Sequence, residues 1–88
     1  MASGKIKPII VDLKFITQLN ISNRARSTVY HFMYTEGASN APFTGGGHGY
    51  LYVNEAAEYG SQIVFSNQGV AWRALVGGTY GSWKYITS

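Results

Sequence analysis

The sequence contains no cysteine and few charged residues. Without cysteine, the 88-residue chain has neither a disulfide framework nor thiolate ligands for a metal. Charged residues make up 12% of the chain, about half of the roughly 25% that is usual in soluble domains. A domain of this size buries only about 60–65% of its unfolded surface. We therefore expect its stability to come from a dense aromatic core or from association with other chains.

Other absences concern membranes and nucleic acid. No apolar run reaches the roughly 18–20 residues of a membrane span, and the first residues, MASGKIKP, lack the apolar stretch of a signal peptide. The net charge is +3, and the basic residues are scattered along the chain rather than gathered in a stripe. The sequence thus predicts no membrane insertion and no nucleic-acid partner. An aromatic platform for single-stranded nucleic acid is the alternative, and steep salt dependence of binding would reveal it.

Catalytic motifs are also missing. The stretch GGGHGY lacks the Lys-Ser or Lys-Thr of a phosphate-binding loop, and no GxSxG elbow occurs. His31 and His48 lie 17 residues apart without a carboxylate pattern, which is a weak metal signal. Glu36 and Glu55 flank a long loop and its following strand and could converge as a glycosidase pair, but solvated turn residues are the favoured interpretation. The sequence predicts no catalytic residue, no metal and no cofactor.

What is present is a series of short β-strands joined by Gly-rich turns. Asp12 is a candidate cap for a short helix over Leu13–Thr17, and 35–49 is a long loop. These features predict an α+β, mostly-β fold: a small, mainly antiparallel sheet of about five strands with one short N-terminal helix. Residues 1–8 are predicted to be a tail, linker or remnant, and 9–88 a single domain. The predicted strands are 27–34, 50–54, 61–66, 70–76 and 82–87.

Both tryptophans lie in the last third of the chain. Trp72 shares a strand face with Val70, Ala74 and Val76, an apolar row that predicts a core position. Tyr80, Trp83 and Tyr85 lie beside a Gly-rich turn, where exposure fits better than it does for Trp72, but a packed hairpin that helps to close the core is the slightly favoured interpretation. Exposed aromatic rings beside Asn, His and Arg suit the C–H faces and hydroxyls of sugars. The candidate glycan-binding residues are His48, Tyr50, Tyr52, Arg73, Tyr80 and Trp83.

An ordered series of motifs between Asp12 and Ile86 resembles the pyocin-knob family of phage and prophage tail-fibre domains. The series begins with a DL…IT segment at Asp12 and continues through the loop GASNAPFTGGG and the strands GYLYVN, SQIVF and AWRA. It closes with GGTYGSWKYI, which is similar to a G-x-W-x-x-W-x-x-I/L signature. Trp83 takes the second aromatic place there, Ile86 takes the apolar one, and Tyr80 replaces the first tryptophan.

This resemblance implies a non-enzymatic, homotrimeric knob of a tail fibre or tailspike. Such a module would be assembled in the bacterial cytoplasm, reside in the virion tail and serve host attachment. It would contact a bacterial surface polysaccharide through the candidate glycan-binding residues. The alternative is a fragment of a capsule or polysaccharide depolymerase, which would depend on Glu36 and Glu55.

Overall fold

A computed structural model describes residues 10–21, 28–54, 56 and 58–86. The described residues form one sheet of seven strands: β1 (Ile10–Phe15), β2 (Thr28–Tyr34), β3 (Gly47–Val53), β4 (Gly60–Ser66), β5 (Gly69–Val76), β6 (Thr79–Tyr80) and β7 (Lys84–Ile86). The predicted tail, residues 1–8, lies outside the described part of the chain.

The strands follow the order β1-β2-β3-β4-β5-β6, and β7 pairs with β5 beside β6. All pairings are antiparallel except that of β1 with β2, which is parallel. The prediction of a small, mostly-β fold is therefore confirmed, and the sheet is mixed. The five predicted strands correspond to β2, β3, β4, β5 and β7, while β1 and β6 are additional to them.

The predicted helix over Leu13–Thr17 is wrong, because β1 runs through its first half and no helix occurs among the described residues. The Asp12 carboxylate does accept a backbone N–H, but the donor is Lys14, at 2.9 Å. Lys14 has φ 62, and the pairing of β1 with β2 shifts register between Asp12 and Phe15. The side chain thus supports a bulged turn inside a strand rather than a helix start.

The predicted loop over 35–49 is shorter in the structure, since β3 already begins at Gly47. The loop lies beside the segment that follows β1. Leu19 N–H donates to the Ser39 carbonyl at 3.0 Å, and Ser39 N–H donates to the Thr17 carbonyl at 2.8 Å. The segment after β1 and the loop before β3 together cover one face of the sheet, which we call the inner face. We call these two segments the cover.

The hydrophobic core lies between the inner face and this cover. Alternate strand residues point inward because successive side chains of a strand lie on opposite faces. Leu19 from the cover reaches into the same cluster and is fully buried. The buried core residues are Leu19, Tyr30, Phe32, Tyr34, Leu51, Val53, Val64 and Leu75.

The opposite face, which we call the open face, carries side chains that are exposed or half-buried. The prediction that Trp72 is a core residue is wrong, since its row lies on this face and 38% of the residue is exposed. Its neighbour Arg73 is buried instead, with 4% exposed. The open face consists of Ile10, Asp12, Val29, His31, Met33, His48, Tyr50, Tyr52, Ser61, Ile63, Phe65, Val70, Trp72, Ala74, Val76, Lys84 and Ile86.

Candidate functional site

The six predicted glycan-binding residues separate into two groups on opposite sides of the sheet. His48, Tyr50 and Tyr52 lie on the open face and are exposed. Arg73, Tyr80 and Trp83 come together on the other side, at the end of the hydrophobic core. They therefore cannot form one site in a single copy of the chain.

Arg73 is held on the inner face by neutral acceptors. Its Nε donates to Gln62 Oε1 at 2.8 Å, and its Nη2 donates to the Leu19 carbonyl at 2.9 Å. Gln62 Nε2 donates to the same Leu19 carbonyl at 2.6 Å. Gln62 is thus a partner that the sequence analysis missed. Gln62 and Arg73 lie directly opposite each other on β4 and β5, a pairing that only the strand register could reveal.

Two aromatic rings flank the guanidinium. Arg73 Cζ lies 4.1 Å from the centroid of the Tyr80 ring and 4.4 Å from that of Trp83, both within the range of cation–π attraction. Hydrogen bonds fix both rings, since Trp83 Nε1 donates to the Asn40 carbonyl at 2.9 Å and the Tyr80 hydroxyl donates to the Ile21 carbonyl. Tyr80 and Trp83 are half-buried and pack against the core, in keeping with the packed-hairpin interpretation. Tyr85 is exposed, at 52%.

Burial changes the protonation behaviour of this cluster without removing its charge. It lowers the pKa of Arg73 below its ordinary value, but an arginine in a protein stays protonated at neutral pH. Burial also raises the pKa of Tyr80 to about 12, an effect that the neighbouring Arg73 charge only partly offsets. Tyr80 is therefore a neutral phenol at neutral pH, and the cluster carries a net positive charge.

A cavity of about 600 Å³ opens at this cluster, within the usual range for small-ligand sites, roughly 300–1,000 Å³. Its wall combines Arg73 and two aromatic residues with residues of neighbouring turns that carry amide or hydroxyl groups. The lining residues that carry polar or aromatic groups are Asn20, Asn40, Arg73, Thr79, Tyr80, Ser82 and Trp83. Such a wall can pair with an anion and donate to or accept from the hydroxyls of a polyol.

The open face has a different character. The strand pairings align six residues in one row straight across the sheet. Ring contacts continue along the face, with the His31 and Tyr50 rings 5.3 Å apart between centroids. From the β1 edge to the β7 edge, the row is Asp12, His31, Tyr50, Ile63, Trp72 and Lys84.

The two ends of this row carry opposite charges. Hydrogen bonds from the Lys14 backbone N–H and from His31 hold the pKa of Asp12 below its usual 3.8, so Asp12 is an anion at neutral pH. At the other end, Lys84 Nζ lies 5.9 Å from the centroid of the Trp72 ring. Asp12 also lies 3.7 Å from Lys14 Nζ, but exposed ion pairs of this kind contribute only about 0–1 kcal/mol.

The remaining candidates for chemistry are dispersed. His31 Nδ1 donates to the Asp12 carboxylate at 3.2 Å, in keeping with the prediction of a packed histidine, and His48 is exposed as predicted. Glu36 is exposed in the loop, in keeping with the favoured interpretation of a solvated turn residue, and Glu55 lies outside the described residues, so a converging pair stays an alternative hypothesis. Among the described residues, no three metal-ligating side chains are grouped, and no helix could span a membrane.

No protein-family model, curated protein or solved structure matches this chain.

Proposed function

We propose that this chain is a non-catalytic host-attachment module of a phage tail fibre or tailspike. It assembles with copies of itself through the open face, and it contacts a bacterial surface glycan through the cavity beside Arg73. The observation that carries the proposal is the open face itself, a sheet surface on which aromatic and aliphatic side chains stand exposed. Large exposed apolar patches are typical of surfaces that bind other proteins.

The charges at the two ends of the row favour a second copy of the chain as the occupant. A symmetry axis parallel to the strands brings the β1 edge of one copy beside the β7 edge of the next. Because Asp12 and Lys84 end the same row, they then meet at the same height along the axis. Each copy offers an anion at one edge and a cation at the other, so the contact repeats around a closed ring.

The width of the sheet supports a ring of three. Six strands about 4.8 Å apart give a sheet about 25 Å wide, and three such sheets around an axis each lie about 7 Å from it. Long side chains must then fill the centre, and Tyr50 and Tyr52 project from β3, in the middle of the sheet. The ordered motifs that resemble the pyocin-knob family agree with a trimer.

Sedimentation equilibrium over micromolar concentrations tests the assembly. We expect a trimer for the native chain and an association at least about tenfold weaker for Trp72→Lys, because an exposed aromatic anchor at such an interface contributes about 2 kcal/mol or more. Because Trp72 is only 38% exposed within one copy, its substitution also removes packing inside the monomer, and thermal unfolding must show that the variant is folded at the temperature of the measurement.

Thr44→Lys is the matched control, because it adds the same charge on an exposed loop position away from the open face. It should assemble like the native chain. A native chain that stays monomeric at every concentration, or a Thr44→Lys variant as weak as Trp72→Lys, would contradict the proposal.

A further inference from the structure

The guanidinium of Arg73 is a buried charge whose known partners are all neutral. Its hydrogen bonds go to an amide oxygen and a backbone carbonyl, and its ring contacts are to Tyr80 and Trp83. Within the described residues, no carboxylate forms an ion pair with it; the ion pairs there are those of Asp12 with Lys14 and His31. A buried charge is costly unless an opposite charge compensates it.

This uncompensated cation lines the cavity, although only 4% of the residue is exposed. The polar groups around it are neutral as well. Asn20, Asn40, Thr79 and Ser82 line the same cavity with amides and hydroxyls. The phenol of Tyr80, whose pKa is about 12, supplies no negative charge at neutral pH. An anion that enters the cavity therefore meets one positive charge and several hydrogen-bonding groups, with no acidic group among the lining residues.

We infer that the cavity beside Arg73 binds acidic saccharides, sugars of the uronic-acid type whose carboxylate pairs with Arg73 and whose hydroxyls bond to the surrounding amides and hydroxyls. A planar guanidinium matches a carboxylate in shape and charge. A neutral hexose offers the hydroxyls but leaves the Arg73 charge uncompensated. This inference rests on the proposed attachment to surface glycans for its biological setting, but its test does not require assembly.

Trp83 lines the cavity and can report binding once the other tryptophan is removed. In a Trp72→Phe background, we expect sodium glucuronate to change the Trp83 emission in a saturable way. Glucose, measured with sodium chloride to match the ionic strength, should bind at least about tenfold more weakly, because a charge-assisted hydrogen bond is lost. Glucose 1-phosphate is the third probe, because it offers phosphate in place of carboxylate.

Two substitutions at one exposed position locate the site. Ser82→Asp places a fixed negative charge in the cavity wall and should weaken glucuronate binding about tenfold or more. Ser82→Asn removes the same hydroxyl and has nearly the same shape as Ser82→Asp without the charge, so the difference in affinity between the two variants isolates the effect of the charge. Equal thermal unfolding of the two variants confirms that both are folded. Arg73→Met should abolish binding, but it also removes two buried hydrogen bonds, so the Ser82 pair is the decisive comparison.

Saturable glucuronate binding that is at least about tenfold weaker in Ser82→Asp than in Ser82→Asn supports the inference. Glucose as strong as glucuronate, phosphate binding without carboxylate binding, or equal affinities for the two Ser82 variants would overturn it. Sedimentation of the native chain reports self-association separately, because Trp72→Phe alters the proposed interface. A native chain that stays monomeric would defeat the proposed assembly, whereas glucuronate binding in the Trp72→Phe background would still support the saccharide site.

Discussion

Arg73 and Trp72 are neighbours on β5 with reversed environments. The aromatic residue is exposed and the cationic residue is buried. Arg73 is tolerated inside because two hydrogen bonds and two aromatic rings replace water around its guanidinium. Its side chain therefore links β4, β5 and the residues after β1 to the segment between Tyr80 of β6 and Trp83.

Tyr80 makes this cluster sensitive to alkaline pH. Burial raises its pKa from the ordinary 10.0 to about 12 in the folded chain. Its contribution to stability is therefore complete below about pH 10 and is lost as the pH rises through about 12. We expect native chain and Tyr80→Phe to differ by about 1 kcal/mol at pH 8, the value of one hydrogen bond, and this advantage of the native chain to shrink steadily above pH 10.

Urea unfolding of both chains between pH 8 and 12 measures that difference. Burial also raises the pKa of Tyr34. Because Tyr34 is present in both chains, its effect on stability cancels in the comparison. A difference that stays constant over the whole range would contradict the raised pKa of Tyr80.

At the scale of strands, close approach decides where glycine is required. Gly49 lies in β3 between Phe32 on β2 and Val64 on β4. A Cβ atom at this position would overlap the Ile63 carbonyl oxygen, which belongs to the backbone of the neighbouring strand. The obstacle is backbone on a paired strand, so it cannot move aside as the end of a side chain can.

Gly49→Ala should therefore lower the free energy of unfolding by about 1–3 kcal/mol, the usual cost of overpacking. Gly81→Ala is the control, because its added Cβ would lie 3.8 Å from the nearest atom, the Ala74 carbonyl oxygen. Chemical denaturation of both variants measures the effect. Similar losses for the two would show that close strand approach is not what restricts Gly49.

At the scale of the whole molecule, the sheet separates two surfaces with different chemistry. The inner side ends in the cavity with the buried arginine, and the open face carries the row from Asp12 to Lys84. In the proposed trimer, the open faces turn toward the axis. The cavities on the inner side of each sheet then face outward, so assembly and saccharide binding do not compete.

Charge reversal tests the arrangement of copies. Asp12→Lys or Lys84→Asp alone should weaken the trimer, because like charges then meet where the β1 and β7 edges adjoin. The double variant Asp12→Lys/Lys84→Asp should recover much of the association, since the pair is restored in reverse. Sedimentation equilibrium of the four chains measures this. Additive losses in the double variant would mean that these two residues do not meet.

Local pattern in the sequence determined β2, β3, β4 and β5 and determined which residues share a strand face. Alternation with period two depends only on neighbouring residues, so it is readable without the fold. Tyr30, Phe32 and Tyr34 share a face as predicted, and all three are buried. The exposure of Tyr50 and Tyr52 also follows from such a pattern, with Leu51 and Val53 buried between and beside them.

Tertiary structure alone decided which face of β5 is buried and which residues surround Arg73. Both faces of that strand are largely apolar, so alternation cannot rank them, and the hydrophobic row that contains Trp72 misled the prediction. The burial of the face that carries Arg73 depends on its contacts with Leu19 and Gln62, which lie 54 and 11 residues away in sequence. Contacts over such distances form only when the cover closes over one face of the sheet, and a period of two carries no information about where that cover lies.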